Sequence, residues 1–305
     1  MTMDTKTAEI LCKTTADFYR AQAASFSATR TAPWHGWVRC VDAMTKALGV
    51  MGRGVLSSAH AQFSEDEDVS HESSGFLKGA IDYLADEGIP SANSLVLSVF
   101  DLACGNLRFE RYLEEALPDA SLHIYAVDSC DELVAFADGL SAPVTYESSD
   151  IVGGLIDGSP LFRLHHAPQS DMAVSFGFLH HVPGEELRVR VLEGLIDAVR
   201  PEGCVAVSLW QFMNNPALAA KAEVTHAQAI KALGLAPGKL DEGDYLLGWK
   251  NVEGAWRYCH HFSDEEVGRL VAAVSNRAHV IDSFEADGRT GAMNRYVVLQ
   301  KDVCA

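Results

Sequence analysis

Leu95-Val96-Leu97-Ser98-Val99-Phe100-Asp101-Leu102-Ala103-Cys104-Gly105-Asn106 is an apolar, β-branched run that ends in an acid and then in a turn of small residues. Arg108-Phe109-Glu110-Arg111-Tyr112-Leu113 follows with helical spacing. The stretch predicts a strand, a small-residue loop and a helix N-terminus. In an open α/β sheet that junction is the usual seat of a nucleotide-like ligand. Ala103 and Gly105 add little or no side chain, so a ligand can approach the loop backbone closely. A dinucleotide site would need G-x-G-x-x-G, and Ala103, Gly105 and Arg108 occupy those three places. An ordinary βα turn without a ligand is the remaining alternative.

Outward from this junction, strands alternate with helices. Strands are expected at 95–100, 122–127, 144–146, 172–176 and 205–210, with helices at 108–116, 131–138 and 185–199 between them. Helices near 216–233 and 264–273 and strands at 279–284 and 294–300 complete the pattern. It predicts an α/β fold, a doubly wound, mostly parallel sheet of seven strands whose last two form an antiparallel edge pair. Before it, residues 6–24 and a segment opened by Pro33 have helical spacing. They suggest an N-terminal helical cap over 1–92, followed by a ligand-binding domain over 93–305. The run Ser64-Glu65-Asp66-Glu67-Asp68 predicts a solvated, mobile acidic loop near 50–74. A short helix is expected around 75–87.

Composition narrows the class. Of the 305 residues, 48% are apolar, enough for a sizeable core. No apolar run is long enough to span a bilayer and the start lacks a signal-peptide pattern, so no membrane role is expected. The 7 cysteines are scattered, with no CxxC pair, and read as reduced thiols of a cytoplasmic protein. With 42 acids against 24 bases the net charge is −18. That field repels nucleic acid unless the bases cluster on one face or a partner supplies them.

Chemistry-bearing residues fall at strand ends. Asp101 suits a cationic group and argues against phosphate. S-adenosylmethionine (SAM) carries an ammonium and a sulfonium and no phosphate, so the loop residues Ala103, Cys104, Gly105 and Asn106 read as a SAM site. Asp128, with Ser129 beside it, closes the second strand, where a carboxylate accepts from ribose hydroxyls; capping the next helix is its structural alternative. Asp150 can accept from an adenine amino group while the Ile151 backbone meets the ring edge, or it is a solvated turn acid. Phe176 and the adjacent His180 and His181 end the fourth strand, and at most one histidine, His181, is expected to line the site. No third ligand at zinc spacing stands out, so no metal is expected.

Taken together, Val99–Gly105, Asp128, Asp150, His180-His181 and the Arg200-Pro201-Glu202-Gly203 turn resemble the class I, Rossmann-like SAM-dependent methyltransferases. Tyr19…Phe26-Ser27-Ala28-Thr29-Arg30…Pro33-Trp34 resembles the segment before the SAM domain in the tRNA wobble-uridine carboxymethyl methyltransferases, which form a methyl ester. Gly243-Asp244-Tyr245-Leu246-Leu247-Gly248-Trp249 and Arg257-Tyr258-Cys259-His260-His261-Phe262 look like that family's paired C-terminal motifs. Asn294-Arg295-Tyr296-Val297 is similar to its closing strand. Ala103 and Leu107 stand where the family has loop glycines, and the 50–74 stretch is foreign to its pattern.

The resemblance implies SAM as cofactor, with Tyr19, Arg30 and Trp34 folded over it. It implies that Arg30, Arg257, Tyr258 and His260 orient an anionic acceptor, tRNA being the partner, and it leaves a place for a small activating partner protein. A carboxylate acceptor is ionised at neutral pH and requires no general base. Two other expectations stand beside this one: a methyltransferase of a small carboxylic or hydroxylated metabolite, which the charge favours, and a non-catalytic SAM-binding module. Alternation along 257–262 puts Arg257, Cys259 and His261 on one strand face and Tyr258, His260 and Phe262 on the other. With Phe262 inward, Arg257 would turn toward solvent or substrate. Ser263 and Glu266 read as a capping box for the helix that follows.

Overall fold

The computed structural model describes residues 3–50, 95–137, 139–159 and 169–303. The acidic run and the expected helix at 75–87 lie outside them. Seven strands form one sheet: β1 (Leu95–Leu102), β2 (Ala120–Asp128), β3 (Val144–Ser148), β4 (Ser170–Ser175), β5 (Val199–Trp210), β8 (Ala278–Ala286) and β9 (Asn294–Lys301). Their order is β3-β2-β1-β4-β5-β9-β8. The first five pair in parallel, and β9 pairs antiparallel with both β5 and β8. The order reverses between β1 and β4, so a crevice opens at their C-terminal ends. This is the Rossmann-like sheet expected above.

Alternation along β1 sorts the two faces of the sheet. Leu97 and Val99 pack with α2 (His35–Ala47) and α3 (Arg108–Ala116), through Trp37, Cys40, Val41 and Met44 and through Phe109 and Leu113. Phe100 and Leu102 face the other side, where α6 (Glu185–Ala198) and α8 (Asp264–Ala273) contribute Leu192, Leu195 and Leu270. The spacing of Trp37, Val41 and Met44 gives α2 one apolar stripe. Burying a large apolar side chain is worth roughly 1.5–3 kcal/mol, so α2 is a structural layer of the sheet. Gly36 shows how tight that layer is. A Cβ there would lie 2.1 Å from the Tyr296 ring. Tyr296 cannot yield, because it is fully buried, stacked on Phe284 and hydrogen-bonded through its hydroxyl to Asp287 at 2.6 Å. Gly36→Ala is therefore expected to cost about 1–3 kcal/mol by overpacking, read from the urea midpoint; an unchanged midpoint would contradict this packing.

The remaining elements assemble beside the sheet. α1 (Thr5–Ser27) is capped by Asp4, which accepts from Thr7 N at 3.0 Å. It lies along a two-stranded hairpin of β6 (Asp244–Trp249) and β7 (Val252–His260). Lys250 and Asn251 turn that hairpin at φ 43° and 57°, the left-handed pair that matches strand twist. The strand expected before Ser263 thus lies in a separate two-stranded sheet. α7 (Pro216–Leu233) packs against β6, with Leu11 of α1 and Leu246 and Tyr258 of the hairpin in one cluster. The expected capping box is half formed. Ser263 Oγ accepts from Glu266 N at 3.2 Å, but the Glu266 carboxylate turns to His260 instead. Two shorter α-helices are α4 (Asp131–Val134), which ends four residues earlier than expected, and α5 (Ile151–Ile156). Among the described residues no helix is long and apolar enough to cross a membrane.

Candidate functional site

A cavity of about 1100 Å³ occupies the crevice at the strand ends. Its floor is the β1–α3 loop. Ala103 and Leu107 sit at φ 68° and 54°, beside Gly105 at 56°. The loop thus keeps glycine-like geometry at two non-glycine residues, at a cost of about 1–2 kcal/mol each. The Ala103 and Cys104 amides donate to Val127 O at 2.7 and 3.1 Å. Asp101 lies below the loop, 3% exposed, and its Oδ1 has no hydrogen-bond partner among the described residues.

Asp128 is wired into the same loop. Its Oδ2 accepts from Gly105 N and its Oδ1 from Cys130 N, both at 2.8 Å. Burial pushes the carboxyl up, and the amides of Gly105, Cys130 and Ser129 pull it back. Asp128 and Ser129 line the cavity. Asp128 does not cap α4, whose N-cap is Cys130 with no side-chain bond. Asp150 does act as a cap, accepting from Gly153 N at 3.0 Å for α5. Asp150 and buried Ile151 border the cavity together.

The N-terminal segment roofs this floor. Asn106 Nδ2 donates to Ser27 Oγ at 3.1 Å and to Arg30 O at 3.3 Å, and Arg108 Nη1 donates to Ala32 O at 2.7 Å. Tyr19, Arg30 and Trp34 all face the cavity. Trp34 closes on Gly177, where a Cβ would meet the indole at 3.1 Å and the backbone is left-handed at φ 77°, so glycine is required there. Phe176 packs edge-on against Phe109 at 4.9 Å.

Both histidines line the cavity, where at most one was expected. They follow one another on a single 3-10 turn, Leu179–His181, which brings both rings to the wall, 4.0 Å apart. His181 Nδ1 lies 2.6 Å from Tyr258 O, and its Nε2 lies 2.8 Å from the Tyr19 hydroxyl. A carbonyl only accepts, so Nδ1 carries the proton and Nε2 accepts from Tyr19. Burial, then the Arg257 charge, push His181 down to about 3, and burial holds His180 well below the usual histidine range. Both rings are neutral at physiological pH. His180 Nδ1 has no partner among the described residues. Cys259 supplies the third side chain that spacing did not reveal, with ligand atoms of the trio within 4.8 Å of one another. Both His181 nitrogens are already bonded, and burial pushes the Cys259 thiol up to about 11. His181 is thus tied into the wall through Tyr258 and Tyr19, and His180 packs beside it against Trp210.

Residues 257–260 separate by face, as alternation requires, but both faces are covered. Arg257 is 6% exposed and lines the cavity. Its guanidinium carbon lies 5.0 Å from the Phe18 ring centre, 5.3 Å from Trp249 and 6.0 Å from Trp210. Its Nε and Nη1 have no hydrogen-bond partner among the described residues. Tyr258 and His260 are corrections to the expected acceptor set, since neither borders the cavity. Tyr258 donates to Asp244 at 2.7 Å, and His260 is held between Asp244 and Glu266 at 2.7 and 2.6 Å. They brace the wall that presents Arg257. Trp210 and Phe18 were missed. Trp210 does end a strand beside the crevice, which could have flagged it, whereas Phe18 has no local signal.

No protein-family model and no curated protein matches the chain. Among solved structures it is similar to a SAM-dependent methyltransferase from Methanosarcina mazei, at 15% identity, 70% of this chain, 94% of that one and a TM-score of 0.48. It is also similar to the N-methyltransferase NodS from Bradyrhizobium japonicum WM9, in complex with S-adenosyl-L-homocysteine, at 9% identity, 68% and 79% coverage and 0.41. A SAM-dependent methyltransferase from Clostridium acetobutylicum matches at 8% identity, 67% and 84% coverage and 0.43. Such identities carry no activity across.

Proposed function

We propose that the cavity binds SAM and that the chain methylates an anionic acceptor, a carboxylate. The observation behind the acceptor class is Arg257, a cavity-wall guanidinium 6% exposed, whose Nε and Nη1 have no hydrogen-bond partner among the described residues. A buried cation is costly unless an anion answers it. Resemblance supports the carboxymethyl group of a tRNA wobble uridine as that anion.

The residues present fit the cofactor. Asp101 Oδ1, which accepts from no donor among the described residues, suits an ammonium, and Asp128 suits ribose hydroxyls. The neutral rings of His180 and His181 add no charge that would repel a sulfonium. A single ligand typically fills ~300–1,000 Å³, so about 1100 Å³ leaves room beyond the cofactor. When bound, SAM would supply an electrophilic methyl group for an acceptor oxygen, with a neutral thioether as the leaving group. The chain's part is alignment and exclusion of water. Arg257 fixes the acceptor, the Tyr19–His181 bond fixes the wall, and the 27–34 segment shuts out solvent. No side chain has to remove a proton from a carboxylate.

Asp128→Ala is expected to weaken binding of S-adenosylhomocysteine by about 1–3 kcal/mol in calorimetry. Unchanged affinity would remove the ribose assignment. The activity itself is tested by transfer from labelled SAM to total tRNA and, separately, to a metabolite extract. Label in tRNA that mild alkali releases as methanol supports an ester on a wobble carboxylate. Alkali-stable label would overturn the carboxylate, and no label in either fraction would overturn the transferase. The net charge of −18 favours a second reading, a small carboxylic metabolite. Salt separates the two, because RNA binding falls steeply with ionic strength.

A further inference from the structure

Two acids meet where the sequence suggests one. Asp101, the last residue but one of β1, is 3% exposed, and Glu110, in the first turn of α3, is 0% exposed. Neither oxygen of Glu110 nor Oδ1 of Asp101 finds a donor among the described residues. The two carboxyls lie within hydrogen-bonding reach of each other. Two ionised carboxylates in contact away from water would be strongly repelled, whereas one proton between them lets an O–H donate to a carboxylate oxygen. The other titratable groups facing the pair do little to relieve it. Asp128 of β2 adds negative charge, the Cys104 thiol is held neutral by burial, and Arg111 of α3 is the cation that acts on Glu110. Burial, followed by the Glu110 charge, pushes Asp101 well above the carboxylate range, and burial pushes Glu110 up as well.

We propose that Asp101 and Glu110 share one proton in the free protein and release it to solvent when a ligand ammonium docks at the end of β1. The inference rests on the SAM reading above. The balance is simple: the pair passes from one negative charge to two, the proton goes to buffer, and the ammonium offsets the added charge. Glu110 is then a positioning residue that acts through Asp101. Affinity for an ammonium-bearing ligand should rise with pH, by up to about ten-fold per unit, until the free pair is fully ionised.

The test is calorimetric titration of S-adenosylhomocysteine near pH 7 in buffers of different ionisation heat, with 5′-methylthioadenosine, which lacks the ammonium, as the second probe. The expected result is proton release with S-adenosylhomocysteine, none with methylthioadenosine, and none with either in Glu110→Gln. Infrared spectra of the free protein should also show a protonated carboxyl band at neutral pH that Glu110→Gln loses. Binding without proton release, equal release in Glu110→Gln, or a free protein without that band overturns the shared proton. If neither probe binds, the cofactor reading fails first, and the proposal with it.

Discussion

Arg257→Lys is expected to leave S-adenosylhomocysteine affinity unchanged and to lower kcat/KM on the acceptor at least ten-fold, about 1.4 kcal/mol. Lysine keeps the charge but loses the planar array of donors and the stacking surface. Three rings surround the guanidinium, at 5.0 Å (Phe18), 5.3 Å (Trp249) and 6.0 Å (Trp210). Arg257→Met goes further and removes the charge, with an expected loss of about 2–5 kcal/mol, roughly 30-fold or more. Methionine fills the same apolar box, so the methionine variant should unfold no earlier in urea, because a buried charge with no ion-pair partner among the described residues has been removed. Normal turnover in both variants would reduce Arg257 to a packing role and take away the main support for an anionic acceptor.

His260→Leu should be the most destabilising single change, at about 3–5 kcal/mol near pH 6. Both ring nitrogens face carboxylates, Asp244 at 2.7 Å and Glu266 at 2.6 Å, with the ring 1% exposed. A carboxylate accepts only, so both nitrogens are satisfied when both carry protons, as an imidazolium. The other Glu266 oxygen lies 3.0 Å from Arg188 Nη2, an ion pair without hydrogen-bond geometry. Burial lowers the His260 pKa, but donation to Asp244 and Glu266 outweighs it and the net direction is up. A folded pKa above the unfolded value means that the stabilisation is fully present below about 6.5 and is lost as pH rises through the folded value. The penalty of His260→Leu should therefore shrink between pH 6 and pH 9 in paired urea titrations. A penalty that is flat over that range would exclude the imidazolium.

What the sequence determined by itself is local. β1, its loop and α3 were readable because an apolar, β-branched run, a small-residue turn and a helical stripe follow one another over Leu95–Ala116. Asp101 and Asp128 were readable because a strand end in a parallel sheet faces the crevice wherever the strand sits. Ala103 and Leu107 hold left-handed φ of 68° and 54° because the Ala103 and Cys104 amides are tied to Val127 O and the Leu107 amide to Cys104 O. Tertiary structure decided how the walls meet. Tyr19 reaches His181 across 162 positions of chain, and Arg257 gains its aromatic box from α1, β5 and the hairpin. No periodicity encodes such contacts, because each depends on which helix covers which face. Alternation along β7 correctly separated Arg257 from Tyr258 and His260, but it implied one open face. α1 and the hairpin's neighbours bury both faces, and this sends His260 to Asp244 and Glu266 instead of to the cavity. Glu110 shows the same limit: its place on α3 was legible, but its meeting with Asp101 required the helix to be laid against the sheet.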